Sequence, residues 1–113
     1  MDAKAFTEKI CNVLKDHKAQ DVVSIDVRGK TEVADYYVVA SGRSMTQTRA
    51  LIEHVEYEMD KEGIAPSRRD GIREGRWAVL DYGDVIVHIF NDETRLFYHL
   101  ENLWGDDKNI VKY

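Results

Sequence analysis

The sequence predicts an α/β fold, a single domain with a mixed β-sheet of about four strands flanked by three main helices. The chain has 113 residues, which is the size of one ordinary domain. Segments with helical and strand periodicity follow one another in the order helix, strand, strand, helix, strand, strand, helix. Because the middle helix connects two strands, at least one strand pair must be parallel. We therefore expect one domain over residues 1–113, with a loose acidic tail at its end.

The first half of the chain predicts one helix and two strands. Apolar residues recur at helical spacing over residues 3–17, which indicates an amphipathic helix. Valine and isoleucine alternate with polar residues over 22–27, which is typical of a strand with one covered face. The run 34–41 is almost continuously apolar and aromatic. We therefore place that strand in the centre of the sheet, covered on both faces.

A capping motif and an irregular crossing follow the central strand. Ser44 followed by Gln47 fits the capping box that opens a helix. An apolar stripe continues this helix to about residue 62. Residues 64–75 hold the only proline and two glycines of this region. This composition predicts an irregular crossing with room for one short extended piece.

The next two strands form a predicted tight hairpin around Tyr82 and Gly83. One face of this hairpin is apolar and belongs against the core, whereas the other resembles a surface for a partner. Two alternatives stay open. A bulged turn would exchange the faces of one strand. The second face could also lie beneath a helix, with His88 as a core residue. The apolar face comprises Ala78, Leu80, Val85, Val87 and Ile89, and the mixed face comprises Trp77, Val79, Ile86, His88 and Phe90, with Asp81 and Asp84 at the tip.

The last predicted helix contributes a second aromatic group. Asn91 can cap this helix and Gly105 can end it. Tyr98 falls off the apolar stripe of the helix, on the side of Glu101. An exposed tyrosine beside carboxylates suits a basic protein surface, although this ring could also lie flat on its own helix.

Charge and composition exclude several classes of protein. The formal net charge is −5 and the pI about 5.3, so the surface has no general attraction for nucleic acid or anionic lipid. The single cysteine, Cys11, excludes an internal disulfide and a cysteine-rich zinc site. The histidines are scattered, and no apolar run resembles a signal peptide or spans a bilayer. We therefore expect a cytoplasmic protein without cofactor, metal ion or membrane contact.

Enzymatic and RNA-binding interpretations have weaker support. Ser44 at a helix start could bind phosphate, but SGRS contains no phosphate-binding glycine motif, and capping accounts for the serine. A nucleotidyltransferase would need paired acidic residues on a strand to hold magnesium, and no predicted strand presents such a pair. The crossing also contains arginines that could touch RNA, although interleaved acidic residues favour an ion-paired loop. These arginines are Arg68, Arg69, Arg73 and Arg76.

Three stretches of the chain resemble the ribosomal silencing factor (RsfS) family, which is also called the Iojap-related family. They read ADYYVVASGRS, GRWAVLDYGDVIVHIF and RLFYHLENLW, and with the first helix they cover nearly the whole chain in the family's order. The resemblance implies a fold similar to nucleotidyltransferases that lack the catalytic carboxylates, and no enzymatic activity. A nucleotide-binding enzyme of the nucleotidyltransferase type is the alternative function.

The resemblance also implies a partner and a mode of action. Family members bind the large ribosomal subunit through ribosomal protein L fourteen and sterically block joining of the small subunit, which represses translation under starvation. Crystallised members are often dimers, so a homodimer of the free protein is compatible with the resemblance, as is a minor contact with ribosomal RNA. No small-molecule substrate is implied. Carried onto this sequence, the partner surface comprises Trp77, Leu80, Asp81, Asp84, His88, Tyr98 and Glu101.

Leu80 fits this surface least well. The predicted hairpin places it on the face opposite to Trp77, so a common surface would need a twisted strand end or a pairing shifted by one residue. We therefore rank Trp77 and Tyr98 above Leu80.

Overall fold

Six strands form one mixed sheet in the computed structural model, which describes residues 2–92, 95, 105 and 108–113. In chain order the elements are α1 Ala3–Asp16, β1 Gln20–Asp26, β2 Tyr36–Gly42, α2 Met45–Asp60, β3 Arg68–Asp70, β4 Trp77–Asp81, β5 Val85–Asn91 and β6 Ile110–Lys112. Across the sheet the strands lie in the order β3-β4-β5-β2-β1-β6. The β2 and β5 strands are parallel, and the other neighbouring pairs are antiparallel. The predicted α/β class and its parallel pair are confirmed.

Both described helices pack on one face of the sheet. The third predicted helix, between Asn91 and Gly105, lies largely outside the described residues. Ser44 caps α2 as predicted, because its Oγ accepts a hydrogen bond from the backbone N–H of Gln47 at 3.0 Å. The Gln47 side chain accepts in turn from the backbone N–H of Arg43 at 2.6 Å. The two helices contribute to the core Phe6, Ile10, Cys11, Leu14, Leu51, Ile52, Val55 and Met59.

The central position of β2 follows from its unbroken apolar sequence. All seven of its residues are buried, because strands flank it on both sides and both of its faces carry packed side chains. Tyr36, Val38 and Ala40 join the core beneath the helices. The alternate residues join a second apolar cluster on the other face of the sheet. This second cluster comprises Val23, Ile25, Val27, Ala34, Tyr37, Val39, Ile86 and Phe90.

The strands β3 and β6 were not counted in the predicted sheet, so its size is corrected from about four strands to six. Each has three residues, RRD in β3 and IVK in β6, and each lies at an edge of the sheet. Short edge strands with charged residues bury little, so they show no apolar alternation. The expected loose tail is also wrong for residues 110–113. The β6 strand pairs with β1, and the N–H of Tyr113 donates to the carbonyl of Val22 at 2.9 Å.

Candidate partner-binding site

Trp77 begins β4 and lies partly buried on the face of the sheet opposite the helices. Its ring stacks on that of Phe90, with centroids 5.1 Å apart and 27° between the planes. The indole Nε1 donates a hydrogen bond to Nδ1 of His88 at 3.0 Å. Tyr37 on β2 meets His88 edge-on, with centroids 5.3 Å apart. We call Trp77, His88, Phe90 and Tyr37 the hairpin aromatic cluster, since their contacts fix the orientation of the Trp77 ring.

The hairpin turn is longer than predicted, and the strand pairing is shifted by two residues. Asp81 pairs with Ile86 and Trp77 with Phe90, which leaves a wider connection than the predicted two-residue turn. Within this connection Gly83 has a φ of +90° and donates its N–H to Oδ1 of Asp81 at 2.8 Å, as glycine and aspartate favour in turns. A shift by an even number of residues keeps every side chain on its face. The predicted division of residues between the two faces is therefore confirmed, although the predicted pairs are wrong. The mixed face is less open than a partner surface, because Ile86, His88 and Phe90 are buried.

His88 is a buried neutral base beneath Trp77. Only 8% of its surface is exposed. Burial lowers the pKa of its imidazole to about 4, against a smaller opposing effect of the Asp81 charge. Because an indole N–H can only donate, Nδ1 must accept, and the proton of the neutral ring lies on Nε2. Nε2 is buried without a hydrogen-bond partner among the described residues. His88 therefore supports Trp77 from within the sheet face and has little exposed surface. The prediction that His88 belongs to the partner surface is corrected, and the alternative of a core histidine fits its burial.

This burial predicts that the protein loses stability in mild acid. The pKa of about 4 in the folded protein lies below the ordinary value of 6.5, so the unfolded chain binds more protons between these values. The free energy of unfolding therefore falls as the pH decreases through this window. From about pH 7.5 to about pH 5.5 we expect the His88 contribution to fall by about 1 kcal/mol. Urea denaturation at both pH values measures this change in the free energy of unfolding. A His88→Gln variant should lack the part of the change that comes from His88. Equal pH dependence in the two proteins would contradict the assignment.

Leu80 lies in the core and not beside Trp77. Its side chain is 0% exposed and packs beneath the helices. The odd spacing between Trp77 and Leu80 explains this, since alternate residues of a strand point to opposite faces. The prediction that Leu80 belongs to an accessible partner surface is corrected accordingly.

The predicted acidic residues lie at the tip of the hairpin. Asp81 shares the face of Trp77 and is partly buried, whereas Asp84 is exposed. The backbone carbonyl of Asp84 accepts hydrogen bonds from the N–H groups of Asp35 at 2.8 Å and Tyr36 at 3.0 Å, which fixes the tip against the start of β2. Both carboxylates thus lie on the same hairpin as Trp77, at its other end. The remaining predicted site residues, Tyr98 and Glu101, lie outside the described residues.

Gly71 is a residue that the sequence did not connect with the site. Its backbone has a φ of +70°, and a Cβ at this position would lie 1.9 Å from the carbonyl oxygen of Trp77. A glycine is therefore needed for the chain before β4 to approach the Trp77 backbone this closely. The sequence shows the glycine within the irregular crossing, but no local pattern indicates which backbone it meets.

The alternative sites have structural explanations. The start of α2 is occupied by the capping bonds of Ser44. Arg69 donates two hydrogen bonds to Glu56, at 2.8 and 2.9 Å, and Arg68 lies 3.4 Å from Asp70. The expected ion pairs are therefore present, although these two arginines lie in β3 and not in a loop. Within the described ranges, no group of three or more His, Cys, Asp or Glu side chains is arranged to hold a metal ion. No helix of the described part of the chain is long and apolar enough to cross a membrane.

Comparison with protein families identifies the group to which this fold and hairpin belong. The family described as "Ribosomal silencing factor during starvation" matches residues 1–112. The chain belongs to this family. The resemblance seen in the hairpin and its neighbouring stretches is thereby confirmed.

Individual members of the silencing factor family are similar over nearly their whole length. The ribosomal silencing factor RsfS of Halalkalibacterium halodurans is 36% identical over 110 residues, which are 97% of this chain and 94% of that protein. RsfS of Bacillus subtilis is 35% identical over 106 residues, covering 94% of this chain and 90% of its own. A crystal structure of a Chromobacterium violaceum protein is 28% identical and superposes with a TM-score of 0.90, covering 98% of this chain and 93% of that one. The similarity to these proteins therefore covers nearly the whole chain.

Proposed function

We propose that this member of the silencing factor family binds the large ribosomal subunit through ribosomal protein L fourteen and sterically blocks joining of the small subunit. It would thereby repress translation in the cytoplasm when nutrients are scarce. The observation that supports this is the partly exposed Trp77, held by Phe90 and His88 on the face of the sheet opposite the described helices. A rigid aromatic side chain of this kind commonly anchors a protein interface.

The chemistry of the proposed contact is apolar at its centre and acidic at its margin. The Trp77 ring loses little conformational freedom on binding, because its stack and its hydrogen bond already fix it. Asp81 and Asp84 at the tip of the hairpin would attract basic residues of the ribosomal protein, which mainly accelerates encounter and selects the partner. Tyr98 and Glu101 are proposed as further contacts on the basis of the family resemblance.

The proposed action is non-catalytic and depends on occupied volume. The folded protein measures 34 × 34 × 23 Å along its principal axes. A body of this size, held on the joining face of the large subunit, would fill space that the small subunit needs. No covalent step is required for such a block, so the bound fraction alone would determine the degree of repression.

Order-of-addition sedimentation tests this function. Purified large subunits are incubated with the protein, small subunits are then added, and the joined ribosomes are separated on a sucrose gradient. We expect the protein to sediment with the large subunit and the joined fraction to fall as protein is added. Adding the protein after joining, at the same concentration, is the matched control and should have a smaller effect. An unchanged joined fraction despite bound protein would exclude the steric block.

A further inference from the structure

A groove of about 400 Å³ lies on the helix side of the protein, remote from the hairpin aromatic cluster. It runs between the second half of α2 and the segment 64–66 that leads to β3. Ile64 lines it and packs against the core beneath the helices, whereas Trp77 packs against the second cluster on the other face. The groove and the proposed ribosome-binding face therefore lie on opposite sides of the sheet.

The wall that α2 gives to this groove is acidic. Glu53, Glu56 and Asp60 line it, at spacings of three and four residues that place them on one side of the helix. Arg69 neutralises Glu56 through its two hydrogen bonds. Glu53 and Asp60 form no ion pair with any residue that the structure describes. Both residues are exposed, so a cation from outside can reach their carboxylates.

The lining of the groove includes an exposed aromatic ring that a cation of the protein already contacts. Tyr57 is 63% exposed, and Ala65 and Pro66 complete the apolar lining beside it. The Nζ of Lys61 lies 4.5 Å from the centroid of the Tyr57 ring, within the range of a cation–π contact. The face of this ring therefore accepts an ammonium group in the protein itself, and a partner's lysine or arginine would replace Lys61 there.

We propose that this groove binds a basic peptide segment of a second protein, independently of the ribosome-binding face. The carboxylates of Glu53 and Asp60 would pair with its lysine or arginine residues, and its apolar atoms would contact Tyr57 and Pro66. A nucleic acid suits the groove poorly, because the carboxylates repel phosphate groups. A second copy of this chain is also a poor match, since its net charge is −5.

A titration with a defined probe tests the proposal. The probe is an amidated decapeptide of alternating arginine and alanine, added to the ¹⁵N-labelled full chain while amide chemical shifts are recorded. The groove variant is Glu53→Gln/Asp60→Asn. The charge-matched control is Glu32→Gln/Glu74→Gln, which removes two exposed carboxylates elsewhere. A Tyr57→Leu variant removes the aromatic face and leaves the net charge unchanged.

We expect shift changes concentrated in residues 53–66 of the unmodified protein. The groove variant should bind the peptide at least about fivefold more weakly, and Tyr57→Leu about threefold more weakly, as expected for exposed ion pairs and cation–π contacts. The control should bind like the unmodified protein. Equal weakening of the groove variant and the control would overturn the proposal, as would shift changes located elsewhere or the absence of binding. Concentration-dependent shifts of the groove without peptide would identify a second copy as the occupant and would also overturn it.

Discussion

Replacement of Trp77 by alanine should weaken binding to the large ribosomal subunit by at least about 2 kcal/mol, roughly thirtyfold. The ring is partly exposed and already oriented by Phe90 and His88, so its loss removes a preorganised apolar anchor. Binding is measured by the fraction of protein that sediments with purified large subunits over a range of concentrations. Circular dichroism of the variant at the same temperature checks that it remains folded.

Two further variants test in the same sedimentation experiment whether the loss of binding is specific to Trp77 or follows the loss of any exposed aromatic side chain. Trp77→Phe retains an aromatic ring for the stack but removes the N–H that bonds His88, so we expect an intermediate loss of affinity. Tyr57→Ala removes an exposed aromatic ring from the other side of the sheet and should leave subunit binding unchanged. If Trp77→Ala sediments with the subunit as the unmodified protein does, Trp77 is not part of the interface.

Replacement of Leu80 by alanine should lower the free energy of unfolding by about 3 kcal/mol, as removal of buried leucine side chains generally does. The side chain is fully buried beneath the helices, and its loss leaves a cavity in a packed core. Urea denaturation followed by circular dichroism measures the change. At a temperature where the variant is still folded, we expect its affinity for the large subunit to be unchanged.

The two effects of Leu80→Ala distinguish a core residue from an interface residue. Val33 is 65% exposed, so Val33→Ala serves as the control and should change the stability by less than about 0.5 kcal/mol. A Leu80→Ala variant with nearly normal stability and weakened subunit binding would show that the residue reaches the partner. That outcome would restore the surface role that the resemblance implies for Leu80.

The parts of the fold that were predictable are those in which burial leaves a periodic pattern. Both described helices and the central strand β2 have such patterns, and their places in the fold agree with them. The faces of the hairpin were also predictable. Successive side chains of a strand alternate between the two faces, so a pairing error of two residues leaves every side chain on its predicted face. Trp77, Val79 and Leu80 thus lie on their expected faces although none has its expected partner.

Other features could not be predicted because they leave no pattern in the sequence. The edge strands β3 and β6 bury almost nothing, so no periodicity marks them. The hairpin connection contains a bond from the N–H of Gly83 to Asp81, and the alternation of the two strands does not indicate this longer connection. The predicted pairing set Trp77 opposite His88, but no pattern in the sequence shows that the indole N–H donates to Nδ1 of His88. The supporting role of His88 in the candidate site therefore required the structure.

The position of β6 has a consequence for synthesis of the protein. The outer neighbour of β1, a strand near the start of the chain, comes from residues 110–112. During translation β1 emerges early, but this neighbour emerges only after all the other strands have left the exit tunnel. Pairing across such a long loop is slow and comes late in folding. A nascent chain therefore exposes one open edge of its sheet until residues 110–112 have also left the exit tunnel, and nascent chains held close together on one messenger could pair through that edge.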